Sequence, residues 1–340
     1  MVKRDYSFDI LRGIAIIFVI YIHAYSFSGA STEITFQTVS NVLSRQTVNF
    51  AVPLFLVLSG YFMANKSIGN TNEYFSFLWK RLPRVLLPFL IWSVIYSAHS
   101  LYTGQPIGAI VKSFTRFQAA VPFYFILLIC QYYVLQPLLR ILGSNFRGLV
   151  LSVLISFLSC LFIQYLRYVH KIYLPLYMYG GAFTTWLCFP VLGVYLSSHK
   201  ISQLKKYLPV ISIFTLGLSV IASMYIIAKY GDVVSAVSAV KISSFLYSIS
   251  IILWLFSIRH TFGFNNFLVK LGEMSFGIYF SHMLILFLLR FSFHRITGEH
   301  IPQDAISSIL LTVITVIFGY GLGIFLNKIN KKASGLYLGY

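Results

Sequence analysis

Asp9-Ile-Leu-Arg-Gly-Ile-Ala-Ile-Ile-Phe-Val-Ile-Tyr-Ile-His23 decides how this chain is read. The stretch is apolar enough to enter a bilayer, yet it carries Asp9 and Arg12 at one end and His23 at the other. Ionisable groups are costly inside a membrane, so each of them is a functional candidate. Arg12 and His23 stand eleven positions apart. At ~100° per residue a helix returns almost to the same face over that interval, and at ~1.5 Å rise it separates the two by roughly 16 Å. One helical face would present a cation near one membrane surface and an imidazole about three turns deeper.

Working outward, the whole chain has the same character. Its 340 residues are 58% hydrophobic and 18% aromatic, with only 10% charged. A soluble domain would carry roughly a quarter charged residues, so the expected class is an all-α, polytopic helical membrane protein. No long polar stretch marks a second domain, and one membrane domain over 1–340 is expected. The formal net charge of +18 fits a membrane protein that concentrates Lys and Arg in cytoplasmic loops, and it does not call for nucleic acid. Cys130, Cys160 and Cys188 lie in apolar runs without metal or disulfide spacing. The N-terminal run imitates a signal peptide, but Asp9, Arg12 and His23 within it point to a retained first helix.

Apolar stretches long enough to cross a hydrocarbon core run to roughly 17–25 residues. About ten are found: Phe8–Phe27, Val42–Met63, Pro83–Leu101, Val121–Leu142, Leu149–Tyr168, Phe183–Ser198, Leu208–Ala228, Ile242–Ile258, Ser275–Phe293 and Ala305–Ile324. Asn49 and Pro53 interrupt the second, and the sixth is short. With the N-terminus inside, cytoplasmic segments hold cations such as Lys3, Arg4, Lys66, Arg147, Lys206 and Lys332, while Arg45, Lys112, Arg167, Lys241 and Arg295 are among those opposite. The full set divides about two to one in the sense of the positive-inside rule. Both termini are then expected in the cytoplasm, Arg12 near the inner surface and His23 toward the outer leaflet.

Several constellations offer chemistry. A neutral imidazole at His23 can take the proton of a hydroxyl as its oxygen attacks a thioester; the plainer alternative is a histidine hydrogen-bonded within the bundle. Asp9, three residues before Arg12, is placed for a helical ion pair and also favours the helix N-terminus. Arg12 alone would be read as a snorkelling interfacial arginine. In Lys80-Arg81-Leu82-Pro83-Arg84, arginine forks three apart suit phosphate oxygens, although topological anchoring explains the same cluster. Pro53 opens backbone bonds in the run Val52–Phe62, and Ser59-Gly60 permits close helix approach. Tyr124, in Val121-Pro-Phe-Tyr-Phe125, sits at a membrane entrance, where aromatics are commonly anchors. Gly272-Glu-Met-Ser-Phe-Gly-Ile-Tyr-Phe-Ser-His282 brings a second intramembrane histidine, His282, with Glu273 at a helix start. Arg290 reads as snorkelling near the outer end of that span. Walker A, GxGxxG, HExxH and Gly-x-Ser-x-Gly patterns do not occur. Only eight acidic residues are present, so a di-carboxylate or metal-dependent mechanism is hard to build and no metal is expected.

These motifs together resemble the acyltransferase 3 family, polytopic membrane O-acyltransferases that modify surface glycans. The resemblance is carried by Asp9-x-Leu-Arg12-Gly-Ile-Ala with ten residues between Arg12 and His23, by Arg81-x-x-Arg84, by Val52–Phe62, by Val121–Phe125 and by Gly272–His282. The usual Trp is absent from the fourth of these. The resemblance implies acyl-CoA as donor, most commonly acetyl-CoA, with its phosphates near Arg81, Arg84 and Arg12. It implies His23 as the base in the cell inner or plasma membrane. The acceptor would be a hydroxyl of a cell-surface or lipid-linked glycan, and a sugar-stacking role would fall to Tyr124. His282 and Glu273 are expected to support the site. A glycan exporter whose buried His and Arg line a polar pathway is the competing class; exporters often carry internal symmetry, and none is visible here. A partner subunit without activity of its own is a third.

Overall fold

A computed structural model describes residues 5–25, 33–64, 68–201, 204–302 and 304–340. Lys3, Arg4 and Lys66 of the expected cytoplasmic cations, and Phe27 at the expected end of the first span, lie outside them. Helices follow one another as α1 (Ser7–Ala24), α2 (Phe36–Thr47), α3 (Ala51–Ala64), α4 (Thr71–Tyr102), α5 (Ile107–Thr115), α6 (Tyr124–Val134), α7 (Gln136–Gly143), α8 (Phe146–Tyr168), α9 (Leu176–Tyr179), α10 (Phe183–Trp186), α11 (Cys188–Ser198), α12 (Leu208–Tyr230), α13 (Val233–Ala236), α14 (Ile242–Ile258), α15 (Asn266–Glu273), α16 (Ser275–Thr297) and α17 (Ala305–Ala333). Among the described residues there are no strands.

Eight of these elements are long and apolar enough to cross a membrane: α1, the α2–α3 segment, α4, α8, α12, α14, α16 and α17. Helices satisfy their own backbone groups, which is why an apolar chain of this kind can occupy lipid. The stretch expected as a fourth span is broken between α6 and α7, which meet at a bend of 73°. Pro137 in the first turn of α7 explains the break, because it lacks the N–H that would continue the ladder. The expected sixth span resolves into the four-residue α10 and the eleven-residue α11. In the second, the interruption lies at Val48–Phe50. Pro53 falls in the first turn of α3, where its missing N–H leaves nothing unpaired.

The chain divides into two compact units. The first comprises residues 1–55 and 200–323, the second 56–199 and 324–340.

In the first unit α1 lies against α15 and α16. Close approach requires glycine here: a Cβ on Gly272 would sit 1.9 Å from the Asp9 carbonyl oxygen, and one on Gly13 would sit 2.5 Å from that of Leu268. A second feature is a buried polar network between α2, α12 and α14. The Gln46 side chain donates to Ser223 Oγ and to the Ala236 carbonyl, both at 3.0 Å. It accepts from Asn49 and from Ser219, both at 2.8 Å. Lys241 Nζ donates to the Ser219 carbonyl at 2.7 Å and to Ser223 Oγ. Arg45 donates to Asn49. Buried polar groups must be paired this way, because water is not at hand to do it. Arg45 and Lys241 were counted as outer-loop cations; both are instead buried in this network. The loop-charge asymmetry without them is steeper.

In the second unit α3 crosses α11 at very short range. A Cβ on Gly60 would meet the Pro190 carbonyl oxygen at 2.0 Å, which is the close packing expected of Ser59-Gly60.

Candidate active site

His23 occupies the last turn of α1 and is a half-buried residue. Across from it, on α16, His282 is completely buried. The two ring centroids are 5.3 Å apart and the planes cross at 47°. His282 Nδ1 lies 2.6 Å from the Tyr279 carbonyl oxygen. A carbonyl only accepts, so Nδ1 carries the hydrogen and the neutral ring keeps its lone pair on Nε2. That Nε2 is buried and makes no hydrogen bond among the described residues. An imidazole pair of this kind can hold, receive and return one proton.

Roughly two turns of α16, from His282 to Arg290, run beside the end of α1. His282 stands by His23, Leu286 packs with Ala24, and Arg290 Nη2 donates to the Ala24 carbonyl at 2.7 Å and reaches that of His23 at 3.4 Å. Positions 282, 286 and 290 are four apart and share one helical face. Arg290 is therefore bound to the end of α1, where a snorkelling side chain was expected.

Asp9 and Arg12 lie at the opposite end of α1. Arg12 Nη1 donates to Asp9 Oδ1 at 3.1 Å, as the three-residue spacing predicted. The Asp9 side chain is 7% exposed and that of Arg12 33%. The pair is thus held in the first turns, roughly 16 Å along the axis from His23. Glu273 is the last residue of α15, two positions before the start of α16, and it is exposed.

Arg81 and Arg84 belong to the second unit and sit on α4, which is 32 residues long. At ~1.5 Å per residue the helix measures about 48 Å, against a hydrocarbon core of ~30 Å, so several turns must stand in the aqueous layer. Its start is fixed by a capping box. Asn70 Oδ1 accepts from the Glu73 N–H at 2.9 Å, and Glu73 Oε2 accepts from the Gly69 N–H at 2.8 Å. Behind this cap, Ile68, Asn70, Asn72, Glu73, Ser76, Phe77, Lys80, Arg81 and Arg84 line a cleft of about 610 Å³. Its three cations, Lys80, Arg81 and Arg84, outnumber the single carboxylate of Glu73, and with the amides of Asn70 and Asn72 and the Ser76 hydroxyl they suit a phosphorylated ligand. Lys80, Asn72 and Ser76 were not singled out from sequence as binding residues; their spacing of four along one helix was the available signal. Tyr124, also in the second unit, is the half-buried first residue of α6.

A family profile described as "Acyltransferase domain", that of acyltransferase 3, matches residues 5–328. The chain belongs to the acyltransferase 3 family. It is thus a multi-pass membrane acyltransferase, and the match takes in α1 through most of α17. Neither the curated proteins nor the solved structures contain a match to it. Among the described residues, no three His, Cys, Asp or Glu side chains converge as a metal ion would require. The imidazole pair of α1 and α16 lies in the first unit, and the cationic cleft on α4 lies in the second.

Proposed function

We propose that this acyltransferase is an O-acetyltransferase that moves an acetyl group from acetyl-CoA to a hydroxyl of a cell-surface or lipid-linked glycan. The observation that carries the reading is the adjacent His23 and His282 pair, with the second ring fixed in tautomer by Tyr279. His23 removes the acceptor hydroxyl proton as the oxygen attacks the thioester carbonyl. The new C–O bond forms, the C–S bond breaks, and the thiolate leaves with the proton that His23 returns. One alcohol and one thioester give one ester and one thiol, with no net proton change. His282 supports His23 through the lone pair at Nε2. Arg81 and Arg84, with Lys80, hold the phosphates of the coenzyme by charge-assisted hydrogen bonds, and the Asp9–Arg12 pair fixes the entry end of α1.

Both termini are cytoplasmic in this proposal, in the cell inner or plasma membrane. That orientation draws on the asymmetry of loop cations, and it presents the α4 cleft to the cytoplasmic donor. Tyr124 and Glu273 are assigned to acceptor or loop support. The test is direct: purified protein is given radiolabelled acetyl-CoA and the surface glycan is analysed for label. Ester-linked label on the glycan is the expected result. A glycan exporter would move sugar without consuming acetyl-CoA, and that outcome would overturn the proposal.

A further inference from the structure

The end of α1 poses a hydrogen-bonding problem. The last four carbonyls of a helix lack partners within it. At α1 the Tyr25 N–H returns to the Tyr21 carbonyl at 3.0 Å, and Tyr25 itself turns into extended backbone. The carbonyls of His23 and Ala24 lie beyond that bond, and among the described residues the Arg290 guanidinium meets them, at 3.4 and 2.7 Å. A cation is also the favourable charge at a helix C-terminus. Arg290 comes from the same face of α16 that carries His282 and Leu286. One rigid element therefore supplies both the ring beside His23 and the clamp on its backbone.

We propose that Arg290 is a positioning residue for His23: its guanidinium, held on the His23 and Ala24 carbonyls, fixes the last turn of α1 so that the imidazole stays beside His282. The inference rests on the reading of His23 as the base, and it adds a residue that acts only through His23. Both contacts come from Nη2, which a planar guanidinium carries at a fixed place and angle, whereas an ammonium is a compact point charge on a shorter, flexible stem. Arg290→Lys therefore keeps the charge and loses the geometry. Misplacing a reacting group by about 1 Å costs on the order of a hundredfold in rate.

The experiment uses the full chain in native membranes, with acetyl-CoA as donor and the membrane's own glycan as acceptor. Arg290→Ala, Arg290→Lys and His23→Gln are compared. His23 labelling by diethyl pyrocarbonate, followed by mass spectrometry of its peptide, reports the imidazole independently of turnover. In Arg290→Ala we expect kcat to fall on the order of ten- to a hundredfold, the KM for acetyl-CoA to stay unchanged, and His23 labelling to change severalfold. Added methylguanidinium should restore both, which a folding defect would not permit. Arg290→Lys should show the same kcat loss in milder form and serves if the alanine variant fails to accumulate. Unchanged His23 labelling in both variants would overturn the inference, as would wild-type kcat in both when His23→Gln is inactive. Full transfer by His23→Gln would instead remove the base assignment, and the labelling would still decide whether Arg290 holds the ring.

Discussion

The His282 ring lies 5.3 Å from that of His23, centroid to centroid, with Nδ1 turned to the Tyr279 carbonyl. A core histidine would be replaceable by glutamine, whose amide can still donate to that carbonyl. A group that shares the proton with His23 would not be, because an amide can accept a hydrogen bond but cannot take a proton at neutral pH. His282→Gln should lower kcat on the order of ten- to a hundredfold, with the KM for acetyl-CoA unchanged. Steady-state transfer kinetics check this, and wild-type kcat would return His282 to a packing role.

Donor affinity should depend on the α4 cleft. Loss of one charged hydrogen bond to phosphate costs about 1.5–3 kcal/mol, or roughly ten- to a hundredfold in affinity. Arg81→Ala and Arg84→Ala should each raise the apparent KM for acetyl-CoA by that factor while the protein still inserts. Unchanged donor kinetics in both would leave these arginines as topological anchors.

Orientation is testable without any assay of transfer. Reporter fusions after Lys206 and after Lys332 should both read cytoplasmic. An external reading at either position would reverse the side from which the donor is proposed to enter.

Stability should hinge on the α1–α15 contact. A Cβ at Gly272 would lie 1.9 Å from the Asp9 carbonyl oxygen, a backbone atom that cannot rotate away. Gly272→Ala should therefore destabilise by about 1–3 kcal/mol or more, lowering the thermal midpoint in detergent and disturbing α1. Gly217→Ala is the control: it lies within α12 and its added Cβ meets nothing within 4 Å. Equal midpoints for the two variants would mean that the glycine does not set the packing of α1.

The parts of the fold legible in the sequence were those written in local apolar length. Most of the expected spans reappear as continuous helices because twenty apolar residues have few alternatives in lipid. The bend between α6 and α7 has a local cause in Pro137, which lies inside the apolar stretch 121–142. Charge counting treated Arg45 and Lys241 as loop residues. Their burial depends on Gln46 of α2, Asn49 in the turn that follows it, and Ser219 and Ser223 of α12 coming together, and only the four-residue serine spacing in α12 hinted at a polar face. The Asp9–Arg12 pair was legible because helical spacing alone brings the two together. The approach of His282 to His23, and of Arg290 to the end of α1, comes from tertiary packing over more than 250 residues of sequence separation, which no local pattern encodes.

The central claim, that His23 is the base, is tested most directly by acetyl transfer to the glycan in His23→Gln. Glutamine preserves polar hydrogen bonding at the end of α1 but cannot take a proton at neutral pH. General-base assistance is typically worth 10²–10⁴-fold, so kcat should fall by about that factor while expression, insertion and acetyl-CoA binding persist. Near wild-type transfer by His23→Gln, alongside an inactive His282→Gln, would contradict the account and move the catalytic role to α16.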